Sequence, residues 1–225
     1  MESLNSKFIS VVIPTLNEEL TIGHLLNDLK NASELEIIVV DGGSKDRTVE
    51  VVNSYAGVQL LNSQPGRAVQ LNMGATEAKG EFLWFLHADS RFEGGILNDL
   101  LIQIKKSKCS GSCFLKFDKS GFWYTLYSKF SKINWSIFTY GDQGIFVKRS
   151  LFLELGCYRQ IPIMEDIDLV RRIRKRCHFQ KLDLPVVTSA RRFERNGVVR
   201  QELKNIALVF LYLLGVSPYF LKRFY

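Results

Sequence analysis

Cysteine is scarce in this chain, and its cysteines form no recognisable metal-binding pattern. There are four in 225 residues, and they are scattered. Cys109 and Cys113 lie four residues apart, but no further pair of Cys or His at zinc spacing accompanies them. We therefore predict no zinc module and expect reduced structural or surface thiols, as in a cytosolic protein.

The chain also lacks the apolar segments that membrane insertion or secretion requires. Its most apolar run, residues 206–216, has 11 residues without a charge, whereas a helix that spans a bilayer needs about 20. Residues 1–7 are polar and residues 8–14 suit a strand, so we predict no signal peptide. The composition, 46% hydrophobic and 24% charged, is that of a folded protein. We expect a cytoplasmic protein.

Charge is distributed unevenly. Residues 171–225 hold 13 basic and 3 acidic residues, a net of +10, so the first 170 residues hold 17 and 20, a net of −3. A basic tail on a mildly acidic body indicates an anionic partner, which by charge alone could be a phosphate-bearing substrate, a membrane surface or nucleic acid. A solvated basic face is the alternative. We predict no nucleic-acid partner, because no recognition motif accompanies the charge.

Strand and helix patterns alternate through the first 90 residues. Apolar strands are predicted at residues 8–13, 36–40, 58–61 and 82–86, with a helix in each interval. The connections suit right-handed crossovers, which predicts an α/β fold with a mostly parallel sheet and helices on both faces. Further strands are predicted at residues 110–117, as an edge strand, and at 145–147 and 179–189.

Two segments carry unusual apolar character. We divide the chain into a main domain, residues 1–200, and a helical tail, residues 201–225, whose apolar helix needs cover from the body, a second subunit or a membrane interface. Lys222, Arg223 and the aromatic residues around them favour the interface or a homodimer. The aromatic segment 122–135 could offer a platform for a sugar or lipid, but we favour packing on the sheet.

Polar residues follow the predicted strands at the edge where open α/β sheets bind ligands. They form the segments Pro14-Thr15-Leu16-Asn17-Glu18, Asp41-Gly42-Gly43-Ser44 and His87-Ala88-Asp89-Ser90. The glycines after the second strand allow the backbone to approach a ligand closely. Asp89 is a hard oxygen ligand, suited to hold a divalent cation against a diphosphate.

Together with Gly66-Arg67-Ala68-Val69-Gln70 and Met164-Glu165-Asp166, these segments resemble family 2 glycosyltransferases, the inverting GT-A group, over about residues 8–175. The His-Ala-Asp-Ser form resembles a small single-domain branch of that family. The resemblance implies a GT-A fold and sugar transfer from a nucleotide-diphosphate sugar, with UDP favoured, to an acceptor hydroxyl that could be lipid-linked. It also implies a divalent cation, Mn²⁺ or Mg²⁺, and allows peripheral contact with the inner face of the membrane.

The resemblance implies a role for each matching residue. Asp166 would be the general base and Glu165 its partner, Asp89 the metal ligand, and Arg67 a diphosphate contact. The nucleotide would be bound by Pro14, Thr15, Asn17, Glu18, Asp41, Gly42, Ser44 and Ala88. Further candidates for diphosphate or acceptor contacts are Arg191, Arg192, Trp123 and Gln143. For Arg67 a plain surface arginine stays open, and for Glu165 and Asp166 a simple preference for a helix N-terminus.

The sequence departs from the family pattern in two places. His87 stands where the metal motif has its first acid, and we expect it to hydrogen-bond nearby rather than bind metal. The Gln-x-x-Arg-Trp motif of processive members is absent, so we do not predict a polymer synthase. Two other functions stay open: a nucleotidyltransferase, although the loop after the first strand is not glycine-rich, and an inactive relative that binds nucleotide or membrane.

Overall fold

The computed structural model describes residues 7–190 and 197–225. In these ranges the chain forms a seven-stranded sheet with the order β3-β2-β1-β4-β6-β5-β7. The strands are β1 (Ile9–Thr15), β2 (Leu35–Asp41), β3 (Val58–Asn62), β4 (Phe82–Phe85), β5 (Ser110–Phe117), β6 (Phe146–Lys148) and β7 (Phe179–Thr188).

Helices connect most of the strands. They are α1 (Ile22–Leu29), α2 (Thr48–Asn53), α3 (Arg67–Glu77), α4 (Ile96–Lys106), α5 (Phe122–Ser131), α6 (Arg149–Glu154), α7 (Glu165–Arg174), α8 (Val198–Leu213) and α9 (Pro218–Leu221). Short 3-10 turns occupy Ser136–Phe138, Gly141–Gln143 and Lys222–Phe224.

The predicted α/β fold with a mostly parallel sheet is confirmed. Strands β1 to β4 pair in parallel, as do β5 and β7, and only β6 runs antiparallel to its neighbours β4 and β5 among the described strands. Alternate residues of the central strands enter opposite core layers, so Trp84 faces one layer and Phe85 the other. A strand covered on both faces is apolar throughout, which explains the unbroken run at residues 82–86.

The prediction that residues 110–117 form an edge strand is wrong. β5 has the predicted limits but lies between β6 and β7. A Cβ added at Gly111 would lie 2.2 Å from the carbonyl oxygen of Gln180 and 2.6 Å from the ring of Phe146. The small residues at its start therefore reflect close neighbours on both sides rather than exposure to solvent.

The expectation of reduced thiols is also wrong for one pair. Cys109 and Cys177 form a disulfide, with their Cα atoms 6.5 Å apart. Cys109 directly precedes β5, and Cys177 lies two residues before the start of β7. These strands pair in parallel, with Ser110 opposite Phe179. Parallel pairing thus brings together two residues that lie 68 positions apart in sequence. Only Cys113 and Cys157 are free, so the argument for a reducing compartment loses its basis.

The aromatic segment packs only in part. Tyr127 is buried and meets the ring of Phe117 edge-on, at 5.3 Å between centroids, as predicted. Other aromatic side chains of this segment are exposed, against the prediction, three on α5 and one after it: Phe122, Trp123, Phe130 and Trp135.

The C-terminal helix α8 is covered on one face and open on the other. Leu208 and Val209 are buried in a cluster with Met164 and Ile167 beside the start of α7. A row at helical spacing on the opposite face is exposed: Leu203, Ile206, Phe210 and Leu214. No helix in residues 7–190 and 197–225 has the length and hydrophobicity needed to cross a membrane.

Candidate active site

A cavity of about 410 Å³ lies at the edge of the sheet where β4 and β7 end. Its walls come from loops and helix ends that the parallel strands bring to one side. The polar lining residues are Arg67, His87, Asp89, Asp142, Glu165, Asp166, Thr188, Ser189 and Asn205. The apolar wall consists of Tyr127, Tyr140, Pro162, Ile163, Met164, Val209 and Tyr225, with Gly141 between the two sets.

Arg67 is the cationic centre of the described part of this cavity. As the first residue of α3, it reaches Glu165 through Nε, lies 3.2 Å from His87 Nε2 through Nη1, and lies 3.8 Å from Asp166 Oδ2 through Nη2. Burial disfavours its charge, but the carboxylates of Glu165 and Asp166 outweigh burial and raise the pKa of Arg67. The guanidinium is therefore permanently charged and lies beside the N-terminus of α7, in contact with its first two residues.

The position of Arg67 is fixed by the attachment of α3 to the sheet. One turn further along α3, Gln70 Nε2 donates to the carbonyl oxygens of Thr15 and Val40, both at 2.8 Å. These two carbonyls lie at the carboxyl ends of β1 and β2, so α3 is attached to the ends of both strands. Arg67 consequently projects from a rigid element rather than from a loop.

Asp166 is held at the N-terminus of α7 by backbone donors. The N–H of Gly141 donates to Oδ2 at 2.7 Å, and the N–H of Ile167 donates to Oδ1 at 2.8 Å. Burial and the adjacent Glu165 raise the pKa of Asp166, although Arg67 and the two N–H groups oppose them. A carboxylate with increased proton affinity, facing a cavity, suits general-base chemistry near neutral pH.

Asp89 lies on the same cavity as Asp166, in the segment that follows β4. Thr188 Oγ1, at the end of β7, lies 3.5 Å from Asp89 Oδ2. The described residues contain no group of three or more His, Cys, Asp or Glu that could hold a metal ion. A single carboxylate such as that of Asp89 is compatible with Mg²⁺, because this cation commonly completes its shell with water and substrate phosphate oxygens.

The predicted nucleotide residues lie outside the cavity walls, and all but Ala88 lie at the ends of β1 and β2 or on the loops that follow them. Asp41 is buried: Oδ2 accepts the N–H groups of Gly43 and Ser44, both at 2.9 Å, and Oδ1 accepts the hydroxyls of Ser44 and Thr15. Asp41 thus shapes its own loop. Only a glycine suits the left-handed φ of 92° at Gly43.

The two loops are joined to each other. Asn17, at a φ of 56°, donates its N–H to Ser44 Oγ at 2.9 Å and accepts the N–H of Lys45 at 2.8 Å. Glu18 donates its N–H to Thr48 Oγ1 at 2.8 Å. The structure therefore brings Asn17, Glu18, Asp41 and Ser44 together, with Pro14 and Gly42 at the adjoining strand ends.

Other predicted residues lie away from the cavity. Gln143 is fully buried, donates to the carbonyl oxygen of Phe138 at 2.7 Å and accepts from Lys181. Trp123 is half exposed on α5 and does not line the cavity, and Ala88 is buried in the core. Arg191 and Arg192 lie outside the described residues.

Sequence reasoning missed Asp142, the neighbour of Gln143. The segment Gly141-Asp142-Gln143-Gly144 has the composition of a turn, and the only signal in it is the acidic residue. Asp142 lines the cavity, and its Oδ1 is buried without a hydrogen-bonding partner among the described residues. Burial, Asp166 and Asp89 raise the pKa of Asp142 to about 7, against the opposing charges of Arg67 and Lys181.

Residues 10–161 match the family described as Glycosyl transferase family 2. This chain belongs to glycosyltransferase family 2. The matched region contains Arg67, His87, Asp89 and Asp142, and Glu165 and Asp166 follow within five residues of its end.

Curated and solved relatives agree with this family. The chain is 26% identical over 193 residues to the probable glycosyltransferase YdaM of Bacillus subtilis (strain 168), covering 73% of this chain and 46% of the relative. It resembles S. aureus TarS in complex with UDP (TM-score 0.67, 20% identity, 89% of this chain and 64% of that one). It also resembles the mannosyltransferase PcManGT of Pyrobaculum calidifontis in complex with GDP-Man and Mn²⁺ (TM-score 0.67, 20% identity, 93% and 65%).

The chain spans less than half of the curated relative and under two-thirds of the two structural neighbours. At 20% identity the structural neighbours show the fold alone, and they confirm the predicted GT-A fold.

Proposed function

We propose that this glycosyltransferase is an inverting enzyme that moves a sugar from a nucleotide-diphosphate donor to an acceptor hydroxyl, with Asp166 as general base. The observation that carries the proposal is that Asp166, Asp89 and Arg67 line one cavity. Inverting transfer needs a carboxylate beside the acceptor hydroxyl and positive charge beside the leaving diphosphate. Asp166 would be that carboxylate, and Arg67 together with a cation bound by Asp89 would supply the positive charge.

The reaction balances with these residues. Asp166 takes the proton of the acceptor hydroxyl while that oxygen attacks the anomeric carbon. The bond between the anomeric carbon and the donor's diphosphate oxygen breaks, and the diphosphate leaves with the electron pair. Arg67 lies 3.8 Å from Asp166 and carries the positive charge that would bind the diphosphate. Glu165 would hold Arg67 in place through their ion pair.

A divalent cation, Mn²⁺ or Mg²⁺, would supply charge neutralisation for the leaving diphosphate, with Asp89 as its protein ligand. His87 contacts Arg67, which agrees with a hydrogen-bonding role rather than a metal-binding one. The structural neighbour PcManGT is in complex with Mn²⁺, which supports this cofactor for the fold.

For the donor we propose a UDP-sugar. The joined loops after β1 and β2 would hold the nucleoside, with Asp41 fixing the loop shape, and the carboxyl edge of the sheet leads from them to Arg67. The structural neighbour TarS is in complex with UDP and PcManGT is in complex with GDP-Man, so the two nucleotides must be compared directly.

For the acceptor we propose a lipid-linked hydroxyl compound, reached through peripheral contact with a membrane surface. Ile163, Met164 and Val209 give the cavity an apolar wall, and Val209 belongs to α8, whose outer face exposes Phe210 and Leu214. Lys222 and Arg223 follow α8 in the sequence, and their positive charges suit anionic headgroups. A homodimer through the same face is the alternative occupant.

Two experiments test this proposal. Thermal-shift and calorimetric titrations with UDP, UDP-sugars, GDP and GDP-mannose, each with Mn²⁺ or a chelator, should give stabilisation by a UDP-sugar that the chelator weakens. Transfer from that donor should invert the anomeric configuration, as read by NMR of the product. Release of pyrophosphate from a nucleoside triphosphate and a sugar phosphate would favour a nucleotidyltransferase instead, and binding without turnover would favour an inactive relative.

The membrane contact has a separate test. Sedimentation with vesicles containing anionic lipid should remove the wild type from solution, whereas Phe210→Ser with Leu214→Ser should stay soluble. Sedimentation velocity without vesicles identifies the alternative: a dimer that the same double variant dissociates would show that a second copy covers this face.

A further inference from the structure

The carboxylate of Asp142 is the one charged side chain of the described cavity wall with an oxygen that is both buried and without a hydrogen-bonding partner in residues 7–190 and 197–225. Leaving a buried acceptor unsatisfied is costly, so the Oδ1 atom calls for a donor that the described part of the chain does not provide. Because Asp142 lines the cavity, a bound ligand can provide that donor.

The position of Asp142 identifies which part of a ligand it faces. Asp142 lines the same cavity as Asp89 and Asp166, and the turn that carries it is bonded to Asp166 through the N–H of Gly141 at 2.7 Å. In the proposed function these two residues lie at opposite ends of the reacting bond, one with the leaving diphosphate and one with the attacking hydroxyl. The group between those ends is the transferred sugar, and its hydroxyls are neutral donors suited to a carboxylate acceptor.

Asp142 is also held rigidly, as a recognition residue must be. On one side, the N–H of Gly141 is bonded to Asp166 at 2.7 Å. On the other side, Gln143 is tied to the carbonyl oxygen of Phe138 and to Lys181, whose Nζ also donates to Ser112 Oγ at 2.9 Å. The short 3-10 turn is therefore anchored at both neighbours of Asp142, which restricts where its carboxylate can lie.

We propose that Asp142 accepts a hydrogen bond from a hydroxyl of the transferred sugar and so sets which sugar nucleotide this glycosyltransferase selects. The inference rests on the proposed function, because it takes the cavity that Asp142 shares with Asp89 and Asp166 to be the site of sugar transfer. It adds a specificity residue that lies outside the metal and base motifs.

The test separates binding of the sugar from binding of the nucleotide. Titration calorimetry with Mn²⁺ measures Kd for UDP and for UDP-glucose, UDP-galactose and UDP-N-acetylglucosamine, with GDP and GDP-mannose alongside. The proteins are wild type, Asp142→Ala and Asp142→Asn. Asp183→Asn is the matched control, since Asp183 is an exposed carboxylate on β7, ion-paired to Lys132.

In Asp142→Ala, Kd for the nucleoside diphosphate should change less than about twofold, while Kd for the preferred sugar nucleotide rises roughly tenfold to a hundredfold relative to it. Asp142→Asn keeps an acceptor oxygen and should restore part of the preference. The melting temperature of the unliganded Ala variant should not fall, because no hydrogen bond to Oδ1 is lost. The control should match the wild type.

Three results would overturn the inference. The first is that Asp142→Ala leaves the ratio of Kd for the sugar nucleotide to Kd for the nucleoside diphosphate unchanged, for every sugar nucleotide that the wild type binds. The second is that the variant loses affinity equally for the nucleoside diphosphate. The third is that both Asp142 variants melt well below the Asp183→Asn control. Failure of the proposed function looks different: the wild type itself would bind none of the nucleotides, and the inference would fall with it.

Discussion

The backbone N–H of Gly141 donates to Asp166 Oδ2 at 2.7 Å, across 25 residues of sequence. It joins the turn that carries Asp142 to the helix that carries the candidate base. A Cβ at Gly141 would lie 3.3 Å from that same oxygen and 3.2 Å from His87 Nε2. The glycine therefore permits the base, the histidine and the turn to meet.

Replacing the base should separate donor binding from transfer. In Asp166→Asn, transfer should fall about a hundredfold to ten-thousandfold, because the amide cannot accept the hydroxyl proton. Affinity for UDP should stay within about twofold, measured by calorimetry beside a steady-state assay, with Asp183→Asn as control. Near-normal turnover of Asp166→Asn would assign the base elsewhere.

The charge of Arg67 should appear in the pH profile. Arg67 lowers the pKa of Asp166, against burial and Glu165, which raise it. A base works deprotonated, so removing the cation in Arg67→Met should move the acid limb of kcat/KM to higher pH. Arg67→Lys keeps a charge and should move it less. The measurement is kcat/KM against pH; a limb that stays fixed or moves to lower pH would contradict this electrostatic account.

Lys181 should make stability depend on pH. Burial lowers the pKa of Lys181 to about 7, although Cys113 and Asp142 oppose it. A free lysine titrates near 10.4, so between these values the unfolded chain binds more protons and the free energy of unfolding should rise with pH, by at most about 1.4 kcal/mol per pH unit. In Lys181→Met the rise from pH 7 to pH 9 should be smaller. Urea unfolding of both proteins at the two pH values checks this, and equal slopes would refute it.

Gly74 should be needed for packing rather than for helix flexibility. A Cβ there would lie 2.4 Å from Val12 Cγ1 and 3.1 Å from Val40 Cγ2. Alanine gains about 1 kcal/mol in helix propensity, but pushing α3 off β1 and β2 costs about 1–3 kcal/mol. We expect Gly74→Ala to lower the free energy of unfolding, measured by urea titration. Thr76→Ala, on the exposed face of the same helix, should stay within about 0.5 kcal/mol; a more stable Gly74→Ala would show that the helix can shift freely.

Opening the disulfide should destabilise the fold. Cys109 and Cys177 close a loop of 68 residues, and a crosslink of that length restricts the unfolded chain by about 2–4 kcal/mol. Unfolding with and without a reductant should differ by that amount in the wild type. Cys157→Ser, which replaces a free cysteine, should keep the difference, whereas Cys177→Ser should abolish it. A wild type insensitive to reductant would mean that the crosslink contributes no stability.

Local signals account for most of what could be predicted. The continuous apolar run before His87 and the residues after each early strand identify β4, β1 and β2 without any tertiary contact. A helix is predicted between the third and fourth strands, and α3 occupies that interval from Arg67 onward. What failed involved partners far away in sequence: β5 looks like an edge strand until Phe146 and Gln180 are placed beside it, and Cys109 looks free until β7 is paired.

Within the site, residue type and spacing indicated which groups carry the chemistry but not what each one touches. Arg67, Asp89 and Asp166 can be named from their motifs. For a ligand contact in the turn, however, the sequence favours Gln143, whereas the residue that lines the cavity is its neighbour Asp142. The structure turns Gln143 into the core and Asp142 into the cavity. One residue along a turn reverses the direction of a side chain, and sequence alone does not fix that direction.

The sequence by itself determined the succession of strands and helices along the chain, the family, and the carboxylates available for chemistry, because hydrophobic periodicity and motifs are properties of neighbouring residues. Tertiary structure alone decided that Asp142 shares a cavity with Asp89 and Asp166, that Cys109 meets Cys177, and that α8 covers the start of α7 while leaving Phe210 exposed. These relationships join segments far apart in the chain, and they exist only once the sheet has set its strand order.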